Sequence, residues 1–309
     1  MRPTFSIIFF TVVSGCGFGL LFLVGAIQCI APAMMSRNAA LVSIVLGVVF
    51  AGAGLLSSML HLGQPQRAWR ALSQWRSSWL SREGVASLAT FVPAAILFLL
   101  AWNGGESRVV AALLAVLSVV TVVCTSGIYT SLKTIRAWSN ALVLPSYLSL
   151  AGASAACWLW LATSAIDGTV IAAWIVVAFC LVGACIKFAY WHFVDNYLGE
   201  STPESATGLG RFGTVRTFEA PHTEDNYLTR EMGFVLARKH ASKLRVISLV
   251  LFAALPIACA ILSLGAGPSI AFAAIAAVSV IAGLFVERWL FFAQAKHKVM
   301  LFYARYSAA

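Results

Sequence analysis

Apolar residues fill this chain in long unbroken runs, at approximately 5–30, 40–60, 84–102, 109–131, 141–164, 169–191, 246–264 and 269–292. Most of these runs reach the roughly 20 residues that a helix needs to cross about 30 Å of hydrocarbon. None alternates apolar and polar positions as the strands of a membrane barrel do. Helices satisfy their own backbone hydrogen bonds in lipid, so the runs predict an all-α integral membrane protein, a single transmembrane domain over residues 1–309 built as a bundle of about eight helices. Two stretches between the runs are long: 61–83, rich in Arg and Trp, and 192–245, the one sizeable polar segment. No repeat relates the two halves, and there is no low-complexity tract.

Composition agrees with the pattern. Of 309 residues, 61% are hydrophobic and only 10% charged, where soluble domains carry about 25% charged residues. A formal charge of +10 would point to nucleic acid in a soluble protein, but here its placement reports topology. Counting Lys187 and Arg288 with the polar segments that follow their runs, nineteen of the 21 Lys and Arg lie at the N-terminus, in the second, fourth and sixth loops and at the C-terminus, and the remaining loops hold only Arg37 and Arg108. The positive-inside rule then puts both termini and both long segments on the cytoplasmic side of a bacterial inner membrane. Val13 to Cys16 resembles a lipoprotein cleavage box, yet apolar sequence continues to Ile30, too long for a signal h-region, so an uncleaved first helix is expected. The seven cysteines form no CxxC and read as small buried hydrophobes rather than cluster ligands.

Candidate chemistry concentrates in HLGQPQRAWRALSQWRSSWLSRE, His61 to Glu83. From Pro65 onward, Ala68, Leu72, Trp75 and Trp79 fall on one stripe of a helix, with Arg67, Arg70 and Gln74 on another face. This predicts an interfacial amphipathic helix between spans 2 and 3, its tryptophans at headgroup depth. Taken alone, it reads as a lipid anchor. Histidine titrates near neutrality, a partly desolvated glutamate can be raised toward it, and arginine can stabilise charge developing on a quinone oxygen. His61, Arg67, Arg70 and Glu83 therefore also supply what quinone reduction requires.

The segment His61 to Glu83 resembles the membrane anchor subunit family of dimethyl sulfoxide reductase, which includes the similar anchor of cytoplasmic sulfite dehydrogenase. Phe5 to Phe22 is similar to that family's first helix, and Thr207 to Arg245 to its long cytoplasmic loop. The resemblance implies an eight-helix anchor without haem or iron–sulfur cluster of its own. It implies partners on the cytoplasmic face, a molybdopterin catalytic subunit and an iron–sulfur electron-transfer subunit, and electron exchange with menaquinone or ubiquinone. The family's HLGxPxR maps onto His61, Leu62, Gly63, Pro65 and Arg67, and its SRE onto Ser81, Arg82 and Glu83. The expected quinone-binding set is thus His61, Gly63, Arg67, Arg70, Arg82 and Glu83.

Segment 192–245 is expected to dock the iron–sulfur partner, through Arg211, Arg216, His222, Tyr227 and Arg230. Its GLGRFG, Gly208 to Gly213, formally matches a dinucleotide fingerprint, but a strand should precede it and an apolar helix with a polar loop does instead. From about Thr229 the chain reads as a helix running to Lys243. Two rival readings remain: a haem b anchor using His61 with His192, and a secondary transporter, disfavoured by the lack of repeats and mid-membrane charge. Lys187 and Glu287 are expected near helix ends, their charged heads snorkelling to the interface.

Overall fold

A computed structural model describes residues 4–59, 64–169, 171–196, 202–216, 218–219 and 240–302. Among the described residues every regular element is helical, and eight helices are long and apolar enough to cross a membrane. They are α1 (Phe5–Ile30), α2 (Arg37–Met59), α3 (Trp79–Trp102), α4 (Arg108–Thr130), α5 (Val143–Ile166), α6 (Ile171–Asn196), α7 (Ala241–Ala266) and α8 (Ile270–Ala293). The expected all-α membrane bundle is what forms.

Serines set several helix starts, because a side-chain oxygen can accept an orphan N–H of the first turn. Ser78 Oγ accepts from Ser81 N, Ser107 Oγ from Val110 N and Ser269 Oγ from Phe272 N, each at 3.4 Å. The Ser78 cap explains why α3 begins at Trp79 rather than at residue 84. α6 likewise continues through polar His192 and Asp195 to Asn196 instead of stopping near 191. α7 contains a π-helical turn, Val250–Ala254, just before Pro256, whose missing N–H interrupts the ordinary ladder.

α1 and α5 occupy the middle of the bundle, with 72% and 78% of their apolar stretches buried against 33% for α3 and α6. The outer helices turn Val45, Val49, Leu88, Val92, Val116 and Val278 outward, as a lipid-facing surface requires. Between lipid-embedded helices there is little hydrophobic driving force, so close backbone approach has to supply the attraction. α1 is built for that. A Cβ on Gly17 would lie 2.3 Å from the backbone N of Ala51 in α2, and one on Gly19 would lie 2.4 Å from the carbonyl O of Ala151 in α5.

Between α2 and α3 the interfacial segment is a 3₁₀-helix, Pro65–Gln74, not the α-helix expected. Three residues per turn replaces the predicted stripe. Trp69, Leu72 and Trp75 now share a ridge, and Trp79 belongs to the spanning helix. Leu72 packs over Gly84, where a Cβ would meet its Cδ2 at 2.8 Å.

Gly17→Ala is therefore expected to destabilise the anchor by about 1–3 kcal/mol, since the atoms in the way are backbone. Gly52→Ala, which meets nothing within 4 Å, should be neutral or slightly stabilising. Thermal unfolding in detergent, followed by circular dichroism, measures both. Equal behaviour of the two variants would remove the close α1–α2 approach as a source of stability.

Candidate functional site

The ends of α2, α4, α6 and α8 and the beginnings of α1, α3, α5 and α7 meet at one end of the bundle. Ser57 Oγ donates to Ser6 O at 3.2 Å, Trp138 Nε1 to Phe291 O at 3.0 Å, and Arg245 pairs with Asp195 at 2.5 Å. At this end Glu83 lies in the first turns of α3, only 3% exposed. Its carboxylate Oε1 accepts the hydroxyl of Thr125 on α4. α3 can lie this close to α4 because Trp79 occupies the space over Gly127, where a Cβ would meet the indole at 2.5 Å.

Arg82 turns the other way. Its guanidinium donates to the carbonyls of Trp75 (3.0 Å) and Arg76 (2.7 Å) and stacks 4.5 Å over the Trp79 ring. It thereby ties the interfacial segment to α3, and its head is committed to backbone. Arg67 and Arg70 are exposed on the 3₁₀-helix, Arg70 lying 5.5 Å over the Trp69 ring. His61 and Gly63 lie outside the described residues.

Behind Thr125 a cavity of about 20 Å³ opens among α1, α4, α5 and α8, lined by Thr11, Ser14, Thr125, Tyr147, Ser154 and Arg288 among others. That is room for about one water, and the lining is polar enough to hold it. The Tyr147 hydroxyl is buried and has no hydrogen-bond partner among the described residues.

Arg288, in the cavity lining, belongs to a cluster that sequence reading missed. Lys187 and Glu287 are fully buried and Arg288 is 3% exposed. Lys187 Nζ is 2.5 Å from Glu287 Oε1, and Arg288 Nη1 is 3.4 Å from Glu287 Oε2. These side chains do not snorkel. They are roofed by aromatic rings: Tyr190 lies 3.9 Å and Trp191 5.2 Å from Lys187 Nζ, and Tyr147 lies 3.8 Å from the Arg288 guanidinium. With α6 ending at Asn196, Lys187 is about 13 Å from the helix end at 1.5 Å per residue. The available signal was Lys187 with aromatic residues three and four positions on, followed by the polar turn at His192, Asp195 and Asn196.

His192 is exposed on α6, its imidazole Nδ1 3.0 Å from Asn196 Nδ2, and faces away from the core. Among the described residues no group of three or more His, Cys, Asp or Glu is placed to hold a metal ion. In the long polar segment, Thr202 caps a short helix, Pro203–Thr207, which ends at Gly208 with φ +71°. Among the described residues it is this helix, and not a strand, that precedes GLGRFG. Hydrogen bonds from its own backbone N–H, from the Thr202 side chain and from Val215 N, the last at 3.1 Å to Oε1, hold the Glu204 carboxyl below the usual range. Arg211 and Arg216 are exposed, as are Phe212 (74%) and Phe218 (99%). His222, Tyr227, Arg230 and the helix expected from Thr229 lie outside the described residues, apart from its end after Ala241.

Residues 1–294 match the family described as DMSO reductase anchor subunit (DmsC). The chain is also 32% identical, over 98% of its length and 99% of the relative's, to a sulfite dehydrogenase subunit of Allochromatium vinosum. A match over nearly every helix and loop described above leaves no part of the bundle to a different fold, and the chain belongs to the DMSO reductase anchor subunit family.

Proposed function

We propose that this membrane anchor subunit, part of an oxidoreductase complex of the dimethyl sulfoxide reductase or sulfite dehydrogenase type, passes electrons between an iron–sulfur partner and membrane quinone at the basic end of the bundle. The observation that carries this reading is Glu83. A carboxyl buried at the foot of a spanning helix, held at one oxygen by a threonine hydroxyl and bordered by an arginine-bearing interfacial segment, is costly unless used.

The residues fit a quinone headgroup approached from the membrane surface, and the water-sized cavity does not admit one from within. His61, which follows the end of α2 in sequence, would donate a hydrogen bond to a quinone carbonyl. Arg67 would place a positive charge beside the same headgroup, with Arg70 close behind. Glu83 would hold or release a proton at its carboxylate. Arg82 acts as a positioning residue, since its guanidinium already binds the carbonyls of Trp75 and Arg76. Bound there, the quinone supplies two-electron, two-proton chemistry. Menaquinone and ubiquinone both suit this donor set.

The relative's name, that of a sulfite dehydrogenase, supports oxidation of sulfite by the catalytic partner as the reaction served. The polar segment 192–245, with exposed Arg211, Arg216, Phe212 and Phe218, supports docking of the iron–sulfur subunit there. A hydrophobic and basic surface of this kind matches the residue types enriched at interfaces. The distribution of Lys and Arg supports a cytoplasmic location for that end and for both termini.

His61→Ala and Glu83→Gln are expected to leave the complex assembled while lowering quinone-coupled turnover by about 10²–10⁴-fold, the usual contribution of a positioned acid–base group. Arg67→Ala should weaken binding of a quinone-site inhibitor roughly tenfold or more, the loss of one charge-assisted hydrogen bond. Steady-state quinone reduction and inhibitor titration in membranes measure these. Wild-type turnover in both His61→Ala and Glu83→Gln would place quinone exchange elsewhere.

Deleting residues 200–221 should release the catalytic partners from membranes while the anchor stays inserted, as read by immunoblots of membrane and soluble fractions. Partners that remain membrane-bound would remove the docking role. Alkaline phosphatase fused after Ala309 should be inactive and a fluorescent protein there should fluoresce. The opposite pattern would invert the topology.

A further inference from the structure

Among the described residues four ionisable side chains of acidic or basic type are buried: Glu83, Lys187, Glu287 and Arg288. Two are acids and two are bases, so their formal charges cancel only as a set. The Glu287 carboxylate touches both bases and neutralises one of them. The balancing charge for the other is the Glu83 carboxylate, which accepts from Thr125, a residue of the cavity lining. An isolated buried charge costs several kcal/mol. If Glu83 takes up a proton, the core is left with one positive charge too many. Arg288 cannot shed it, because guanidinium does not deprotonate in proteins, whereas a buried lysine can.

We propose that Lys187 is the internal proton store for Glu83, the two exchanging a proton through the Glu287 carboxylate, water in the cavity and the Tyr147 and Thr125 hydroxyls. The inference rests on the assignment of Glu83 to quinone chemistry above. The step balances without a redox change. The Lys187 ammonium loses a proton and becomes an amine, the Glu83 carboxylate gains it and becomes an acid, and the four-residue charge stays at zero throughout.

The surroundings of both ends suit this exchange. Lys187 on α6 is faced by Glu287 and Arg288 of α8 and Arg245 of α7, with Tyr190 and Trp191 of its own helix over its ammonium. Glu83 is faced by Thr125, Cys124 and Tyr129 of α4 and by Tyr147 of α5, with Arg82 alongside on its own helix. Tyr147, whose hydroxyl has no hydrogen-bond partner among the described residues, lines the cavity together with Thr125 and Arg288. Re-protonation of Lys187 has an aqueous edge close by. The Arg245 guanidinium, paired with an Asp195 side chain that is 54% exposed, lies 5.4 Å over the same Trp191 ring.

The test is a pH jump on the intact, membrane-reconstituted complex, followed by infrared spectroscopy of the carboxylic C=O band that Glu83→Gln deletes. In Lys187→Arg the charge balance is kept but the store is removed, and in Tyr147→Phe only a hydroxyl is lost. Both are expected to slow the rise of the Glu83 band by about 10²-fold, at the low end for a positioned proton-transfer group, and to slow quinone-coupled turnover in parallel. A merely structural salt bridge would be restored by arginine, so a wild-type rate of band rise in Lys187→Arg overturns the proposal. Should Lys187→Arg fail to assemble, a wild-type rate in Tyr147→Phe overturns it equally. Slow band rise combined with undiminished quinone turnover in Glu83→Gln would instead sustain the exchange and remove the quinone site from Glu83.

Discussion

Backbone contact along α1 is the constraint on which the rest of the bundle depends. In hydrocarbon, two helices gain little from hiding apolar surface and must approach until their main chains touch. Gly17 and Gly19 allow this on two different faces, and Gly25 allows it on a third, where a Cβ would lie 2.7 Å from Ala111 O in α4. With α2, α4 and α5 drawn in around one helix, α3 is carried against α4 and α8 against α5. Glu83 reaches Thr125, and Arg288 reaches Tyr147, only because those four helices converge there. A bulkier α1 would separate the two walls of the cavity before it touched any polar residue.

Polar groups inside the bundle are handled in two ways. Most buried serines and threonines return their hydroxyls to carbonyls three or four residues back, as Ser87, Thr90, Ser118 and Thr163 do at 2.7–2.9 Å. Such groups cost little and say little about function. A few also reach across helices: Thr90 to Thr121 at 3.2 Å, Ser248 to Gly283 O at 3.1 Å, and Thr125 to Glu83. Together with Ser57 to Ser6 O at 3.2 Å, the cross-helix set joins α1–α2, α3–α4 and α7–α8, and only the Thr125 bond involves a buried charge.

Much of this was legible from residue order. Long apolar runs separated by basic loops determine eight spans because lipid leaves the backbone no other solution, and Glu83 was recognisable from its place beside the Arg–Trp segment. What could not be read was how far each helix extends and what stands opposite it. The cap at Ser78 moved Trp79 from the interfacial segment into α3. Continuation of α6 to Asn196 turned Lys187 from an interfacial lysine into a core one. Its partner Glu287 comes from a helix 100 residues later, a contact that no local pattern announces. Arg82 matched a quinone-site motif in sequence, yet its head is spent on the carbonyls that end the 3₁₀-helix. Its role is visible only once that helix has a shape.

The buried charges also share one half of the membrane. Glu83 lies about 6 Å from the start of α3, Glu287 about 9 Å from the end of α8 and Lys187 about 13 Å from the end of α6, all measured from the same end of the bundle. Toward the opposite end, Arg37, Arg108 and Asp167 sit at helix boundaries, and the described core between is free of acidic and basic side chains. A charge crossing the whole bilayer exchanges about 2.3 kcal/mol with each 100 mV of membrane potential. Protons confined to this half traverse only a small part of that field. On the exchange proposed above, a proton passing between Lys187 and Glu83 shifts by about 7 Å along the bundle axis, roughly a quarter of the hydrocarbon thickness, and works against only that fraction of the voltage.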